Sequence, residues 1–167
     1  MNNSPLQFPR SVAKELARRR TIAETQLAGK ILDLSNPVDR LVVVGAIDGN
    51  GEPEWDGVLS VGELTRFPDL AAAVVAIESL IAPTGRFVAI EPVMRPGTLR
   101  MIAATPFNLS RRTGHLHLGR DLPAALRATS LGIDDIERVT MRTSILPLRH
   151  FVSLSARRAI LPPEISQ

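Results

Sequence analysis

WDGVLSVGELTRFPDLAAAVVAIESLIAPTGRFVAIEP, residues 55–92, is the stretch whose reading decides the fold. GVLSVG (Gly57–Gly62) has the apolar, β-branched character of a strand. Pro68-Asp69 opens a helix that an apolar run carries to about Ala82, and Pro83-Thr84-Gly85 ends it. RFVAIEP (Arg86–Pro92) is the next strand. A strand–helix–strand unit of this length is a right-handed parallel crossover within one sheet.

Upstream, Ser11–Leu27 is helical in pattern, with Val12, Leu16, Ala23 and Leu27 apolar, Ser11 as N-cap and Gly29 as stop. KILDLS (Lys30–Ser35) reads as a short strand. RLVVVGAI (Arg40–Ile47) reads as a second, its unbroken apolar run implying burial on both faces. DGNGEPEWD (Asp48–Asp56) is a turn-rich loop. Downstream, Thr98–Leu109 is expected to be a helix and RRTGHLHLG (Arg111–Gly119) a loop or short extended piece. RDLPAALRATSLG (Arg120–Gly132) is a helix with Pro123 in its first turn and Gly132 at its end. IDDIERVTMR (Ile133–Arg142) and RHFVSLSARR (Arg149–Arg158) are two closing strands. The organisation expected is a loose arm over 1–10, one domain over 11–158 and a tail over 159–167.

The bulk numbers exclude several classes. A chain of 167 residues with 44% hydrophobic and 22% charged residues can bury one proper core. No apolar run approaches the roughly 20 residues that span a bilayer, and MNNSPLQFPR lacks the apolar stretch of a secretory signal. Zero cysteines exclude disulfides, thiolate chemistry and cysteine-ligated zinc. The expectation is a cytoplasmic protein with no membrane partner. The pI of about 10.5 comes from an arginine-dominated set of 20 Lys+Arg against 17 Asp+Glu. Its only dense cluster, KELARRR (Lys14–Arg20), reads as a solvated helix face, and aromatic residues that could stack bases are scarce, so nucleic acid is not an expected partner.

From about Trp55 to Arg158 the chain resembles the class I S-adenosylmethionine-dependent methyltransferases. WDGVLSVGELTRFPD is similar to that family's fourth strand, which reads like FDVVLSVGVLHHVPD. VVAIESLIAPTGRFVAIEP is similar to the following helix and strand, and AALRATSLGIDDIERVTMR with FVSLSARR to the closing helix and strand pair. The resemblance implies a Rossmann-like, open and mostly parallel α/β sheet with an antiparallel C-terminal pair, and S-adenosylmethionine as cofactor. The front departs from the family. KILDLS matches its first strand and Asp33 the acidic residue before its glycine loop, but Ser35-Asn36-Pro37 stands where the glycines belong. Only Ser35–Arg40 separates Leu34 from Leu41, too short for a parallel crossover of a dozen residues or more. The domain therefore reads as truncated in its N-terminal half.

The resemblance implies a cofactor set of Asp33, Ser35, Asp48, Ser60, Gly62 and Glu63. Asp48 enters as the end of RLVVVGAI, whether that run stands for the family's second strand or its third; a plain turn residue is the other reading. Ser60, Gly62 and Glu63 lie at a strand's carboxyl end, where open α/β sheets bind ligands. Thr65-Arg66 replaces the His-His pair common in the family, and no catalytic residue is assigned. Glu91 ends the next strand at the same edge, as a site residue or as a turn before Pro92. His115 and His117 share a face in an extended segment but lack a third ligand, so no metal is expected. The functional expectation is an S-adenosylmethionine-dependent methyltransferase-like protein of unknown methyl acceptor, either catalytically degenerate or an active enzyme whose pocket a partner chain or second copy completes. The alternatives are a non-catalytic binding or regulatory module and, last, an Arg-rich nucleic-acid binder.

Overall fold

A computed structural model describes residues 8–49, 51–93, 121–143 and 148–158. The expected helix over 98–109, His115, His117 and the C-terminal tail lie outside these residues. The elements run α1 (Arg10–Glu24), β1 (Ile31–Asp33), α2 (Pro37–Ile47), β2 (Trp55–Val61), a 3-10 turn (Glu63–Arg66), α3 (Leu70–Leu80), β3 (Ile81–Pro92), α4 (Leu122–Arg127), β4 (Leu131–Thr140) and β5 (His150–Arg158).

The five strands form one open sheet in the order β1-β2-β3-β5-β4. β2 and β3 are parallel neighbours, Gly57 level with Arg86 and Val61 with Ile90, so the crossover through α3 is as the sequence implies. β3 pairs antiparallel with β5, and β5 with β4, which closes one edge. Phe151, Val152 and Leu154 are all buried. Successive residues of each strand feed opposite faces. Val58, Phe87, Ala89, Val152 and Leu154 pack under α2, α3 and α4. Leu59, Val88, Ile90 and Phe151 pack under Val12, Leu16 and Ala23 of α1. Both faces are covered, which is why the central strands read as unbroken apolar runs.

RLVVVGAI is not a strand. It lies in α2, and α2 is the crossover that carries β1 to β2 in parallel, Leu32 level with Val58. Asn36 and Pro37, read above as a break, are a helix start. The Asn36 side chain accepts from the Val38 amide at 3.0 Å, and Pro37 occupies the first turn, where its missing N–H costs nothing. Arg40, Val43 and Ala46 are the buried stripe, at helical spacing. The stripe opens on an arginine while Val38 and Leu41 point outward, so the apolar period is disguised. Three consecutive valines further favour strand locally, and packing against α3 overrides that preference.

The two assignments separate cleanly by mutation. A strand would put positions 41 and 43 on one face, whereas Leu41 is 59% exposed and Val43 fully buried. Leu41→Lys should leave stability within about 0.5 kcal/mol of wild type. Val43→Ala should cost roughly 2 kcal/mol, both read from urea denaturation midpoints. Equal sensitivity at the two positions would contradict the helix.

Candidate functional site

The carboxyl ends of β1 and β2 face a cavity of about 400 Å³, roofed by α1 and floored by the start of α2. Its apolar lining includes Phe8, Leu16 and Val61, and its polar lining is Arg20, Ser35, Arg40 and Glu63. Open α/β sheets place ligands at this edge. Gly62 makes the edge possible: its φ of 75° turns the chain sharply from β2 into the 3-10 turn, so that Glu63 faces back toward β1.

Arg40 is the residue the sequence reading missed. It is 4% exposed, and its Nη1 donates to the Leu34 carbonyl at 2.7 Å, the Ser35 carbonyl at 3.2 Å and Glu63 Oε2 at 3.0 Å. The same Glu63 oxygen meets Arg66 Nε at 2.6 Å, with both side chains 7% exposed. Burial pushes the Glu63 carboxyl upward, against the pull of Arg66 and Arg40. A lone arginine at the head of an apolar run, three residues before a buried valine, is the signal that could have found it.

Around β1 the turn is self-satisfied. Asp33 Oδ1 accepts from the Ser35 amide, the Asp33 carbonyl from the Asn36 amide, and the Asn36 side chain from the Val38 amide; Pro37 has none to give. The backbone donors from 35 to 38 are thus all spent within the turn. Asp33 Oδ2 is also held by Arg20, which reaches Ser35 Oγ at 2.9 Å as well. Arg20 therefore serves this edge and is not part of a solvated face. Arg19 is likewise only 16% exposed, between Glu15 and Glu137, whereas Arg18 stays exposed beside Glu15.

Of the residues expected from sequence, Ser35 and Glu63 line the cavity, and Asp33 joins them through its bond to Arg20. Ser60 and Gly62 do not line it. Ser60 is fully buried, 2.5 Å from Glu91 Oε1, and offers nothing to the cavity. Asp48 is elsewhere: it is the C-cap of α2, one helix length (roughly 16 Å) from the site, at the opposite edge of the sheet. Both strand assignments that gave it a cofactor role fall with the strand. Thr65 bonds the Gly62 carbonyl through its hydroxyl and is buried. Among the described residues no cluster of His, Asp or Glu could hold a metal.

Glu91 is 3% exposed, and burial pushes its carboxyl up to about 8 despite the Ser60 bond and the Leu64 amide at 3.3 Å. It is a buried residue of β3, not a turn, and its Oε2 has no hydrogen-bond partner among the described residues, which penalises the charged form most. Between the ordinary value of 4.5 and about 8 the folded chain holds a proton that the unfolded chain has lost. Stability should therefore fall as pH rises through that window and level off above it. Glu91→Gln removes the penalty. Its melting temperature should match wild type near pH 4.5 and exceed it increasingly toward pH 8, by an amount worth a few kcal/mol. Parallel melting curves across that range would refute the assignment.

No family model and no curated protein matches this sequence. Solved structures do match in fold. The 4+2 cyclase SpnF superposes with a TM-score of 0.58 at 14% identity, covering 86% of this chain and 81% of that one. A methyltransferase-like protein of Bacillus halodurans gives 0.56 at 11% identity, covering 86% and 98%. The 1,6-didemethyltoxoflavin-N1-methyltransferase of Burkholderia thailandensis, solved with its substrate and S-adenosylhomocysteine, gives 0.53 at 17% identity, covering 90% and 79%. With the strand order and the spent turn at β1 in place, the chain has the class I S-adenosylmethionine-dependent methyltransferase fold, abbreviated at its front.

Proposed function

We propose that this chain is a methyltransferase-fold binding module that holds S-adenosylmethionine weakly and does not turn over as an independent methyltransferase. The observation that carries this is Arg40. Its side chain lies against the Leu34 and Ser35 carbonyls at the end of β1, where a cofactor's polar end would need the backbone to be open. The turn that follows adds no free amide from 35 to 38, and a methyl-transfer enzyme works chiefly by alignment, which such donors provide. Asp33, usable in principle by a cofactor, is already paired with Arg20. Further support comes from the open flank: among the described residues β1 pairs only with β2. In a doubly wound sheet the ligand crevice lies where the strand order reverses beside the first strand, with an acidic residue on a further strand bonding the ribose. No such strand flanks β1 among the described residues.

The same open flank favours a second reading, an enzyme completed by a partner chain or a second copy of this one. Val38 and Leu41 of α2, which follows β1 directly, are 66% and 59% exposed. The nucleic-acid reading is the weakest, because Arg18, Arg19 and Arg20 are committed to Glu15, Glu137, Glu24 and Asp33. No helix among the described residues is long and apolar enough to cross a membrane.

Calorimetric titration of the full chain with S-adenosylmethionine tests the proposal. Losing several contacts of roughly 1 kcal/mol each takes a micromolar ligand into the millimolar range, and a dissociation constant in that range or weaker is expected. A low-micromolar value for the lone chain restores the enzyme. A low-micromolar value that appears only on association supports the completed-pocket reading.

A further inference from the structure

The cavity at the β1–β2 edge has an unfinished feature. All three hydrogen bonds of Arg40 leave from Nη1, yet a guanidinium carries five donors in a planar fork. Among the described residues Nε and Nη2 make no hydrogen bond, and the residue, 4% exposed, lines the cavity. A half-bonded fork in a concave site is a receptor for a planar two-oxygen anion. Glu63 meets the fork only at Nη1, through an Oε2 that also faces Arg66.

The rest of the cavity is apolar. Phe8 stands edge-on to Phe151, with ring centres 6.3 Å apart, and forms one wall. Leu16 and Val61 form the others, while Ala13 and Ala17 stand at the α1 side. About 400 Å³ lies within the usual range of small-molecule pockets. A dianion such as a phosphate monoester would meet the acidic Glu63 side chain in the lining, and like charges there are penalised. A single charge on an apolar body suits the site best.

We propose that this cavity binds a small apolar monocarboxylate, its carboxylate on the unbonded half of the Arg40 fork and its hydrocarbon against Phe8, Leu16 and Val61. This rests on the reading of the chain as a binding module, since both ligands would claim the same strand ends.

Octanoate is the probe and octylamine its charge-reversed control, each titrated calorimetrically into the full chain at neutral pH. Octanoate should bind saturably with a submillimolar dissociation constant, and octylamine should not bind. Arg40→Lys keeps the charge and loses the fork, and should weaken octanoate about tenfold. Because Arg40 also pairs a buried Glu63 and that variant can lose its fold, Ala17→Phe is the second test. It fills the mouth from an exposed helix position and should abolish binding with an unchanged melting temperature. Saturable binding absent into the millimolar range, or octanoate bound equally by wild type and Ala17→Phe, overturns the proposal. S-adenosylmethionine separates the two readings. If neither ligand binds, the carboxylate site falls and the module stands. If the cofactor binds at low micromolar concentration and octanoate competes with it, the module falls and the carboxylate site stands.

Discussion

A buried guanidinium sets the terms for this end of the molecule. Arg40 gives up water to lie at 4% exposure, and the desolvation of a charge costs several kcal/mol unless acceptors replace the lost hydration. Three acceptors do so: two main-chain carbonyls at the end of β1 and the Glu63 carboxylate after β2. Removing any one leaves a charge or a carbonyl buried without a partner, which is worse than having none of them. The interaction therefore ties three elements into one geometry. α2 must start where it does, β1 must end where it does, and Gly62 must turn the chain so that Glu63 arrives. Such pairs add little net stability, but they narrow the arrangements available.

How far the sequence could be read depended on where this charge sat. The crossover β2–α3–β3 was legible because its signals agree: an apolar strand, an Asp69 N-cap accepting from Ala72 at 3.1 Å, and a second strand in register. The closing antiparallel pair was legible for the same reason. α2 was not. Its buried stripe begins with a cation, its first turn carries the proline that elsewhere ends helices, and its three valines prefer extended backbone. The valine run pointed to a strand and masked the Asn36-Pro37 helix start, and the long-range contact that favours the helix, Arg40 to Glu63, is 23 residues distant. The missed helix then carried Asp48 to the wrong edge. The edge was legible in part: Asp33, Ser35 and Glu63 lie at the strand ends where their positions put them, but the arginines bonded to them were read as an apolar strand's first residue and as part of a solvated cluster.

The fold alone leaves the chemistry open. SpnF, a cyclase, and a toxoflavin N-methyltransferase both share it with this chain at under 20% identity, so the scaffold is compatible with more than one reaction. What differs between uses is what the strand ends present. Here their hydrogen-bonding capacity is turned inward: Asp33 to Arg20, the turn amides to Asp33 and Asn36, Ser60 to Glu91. A surface that satisfies itself is stable without a ligand and gains less from one.

The two carboxyls at adjacent strand ends show how such a surface is kept neutral inside. Glu63 is offered two guanidiniums, and its charge has somewhere to go. Glu91, behind it and equally buried, is offered only a hydroxyl and amides, which cannot balance a full negative charge in a low-dielectric wall. Glu63 itself adds to the pressure on Glu91, because two carboxylates this close would repel. The outcome is a division: burial pushes both acids upward, but the arginines pull back on Glu63, whereas its neighbour Glu91 has only Ser60 and the Leu64 amide to oppose the rise. Half of the Arg40 fork makes no hydrogen bond to a described residue, and Arg40 lines the cavity.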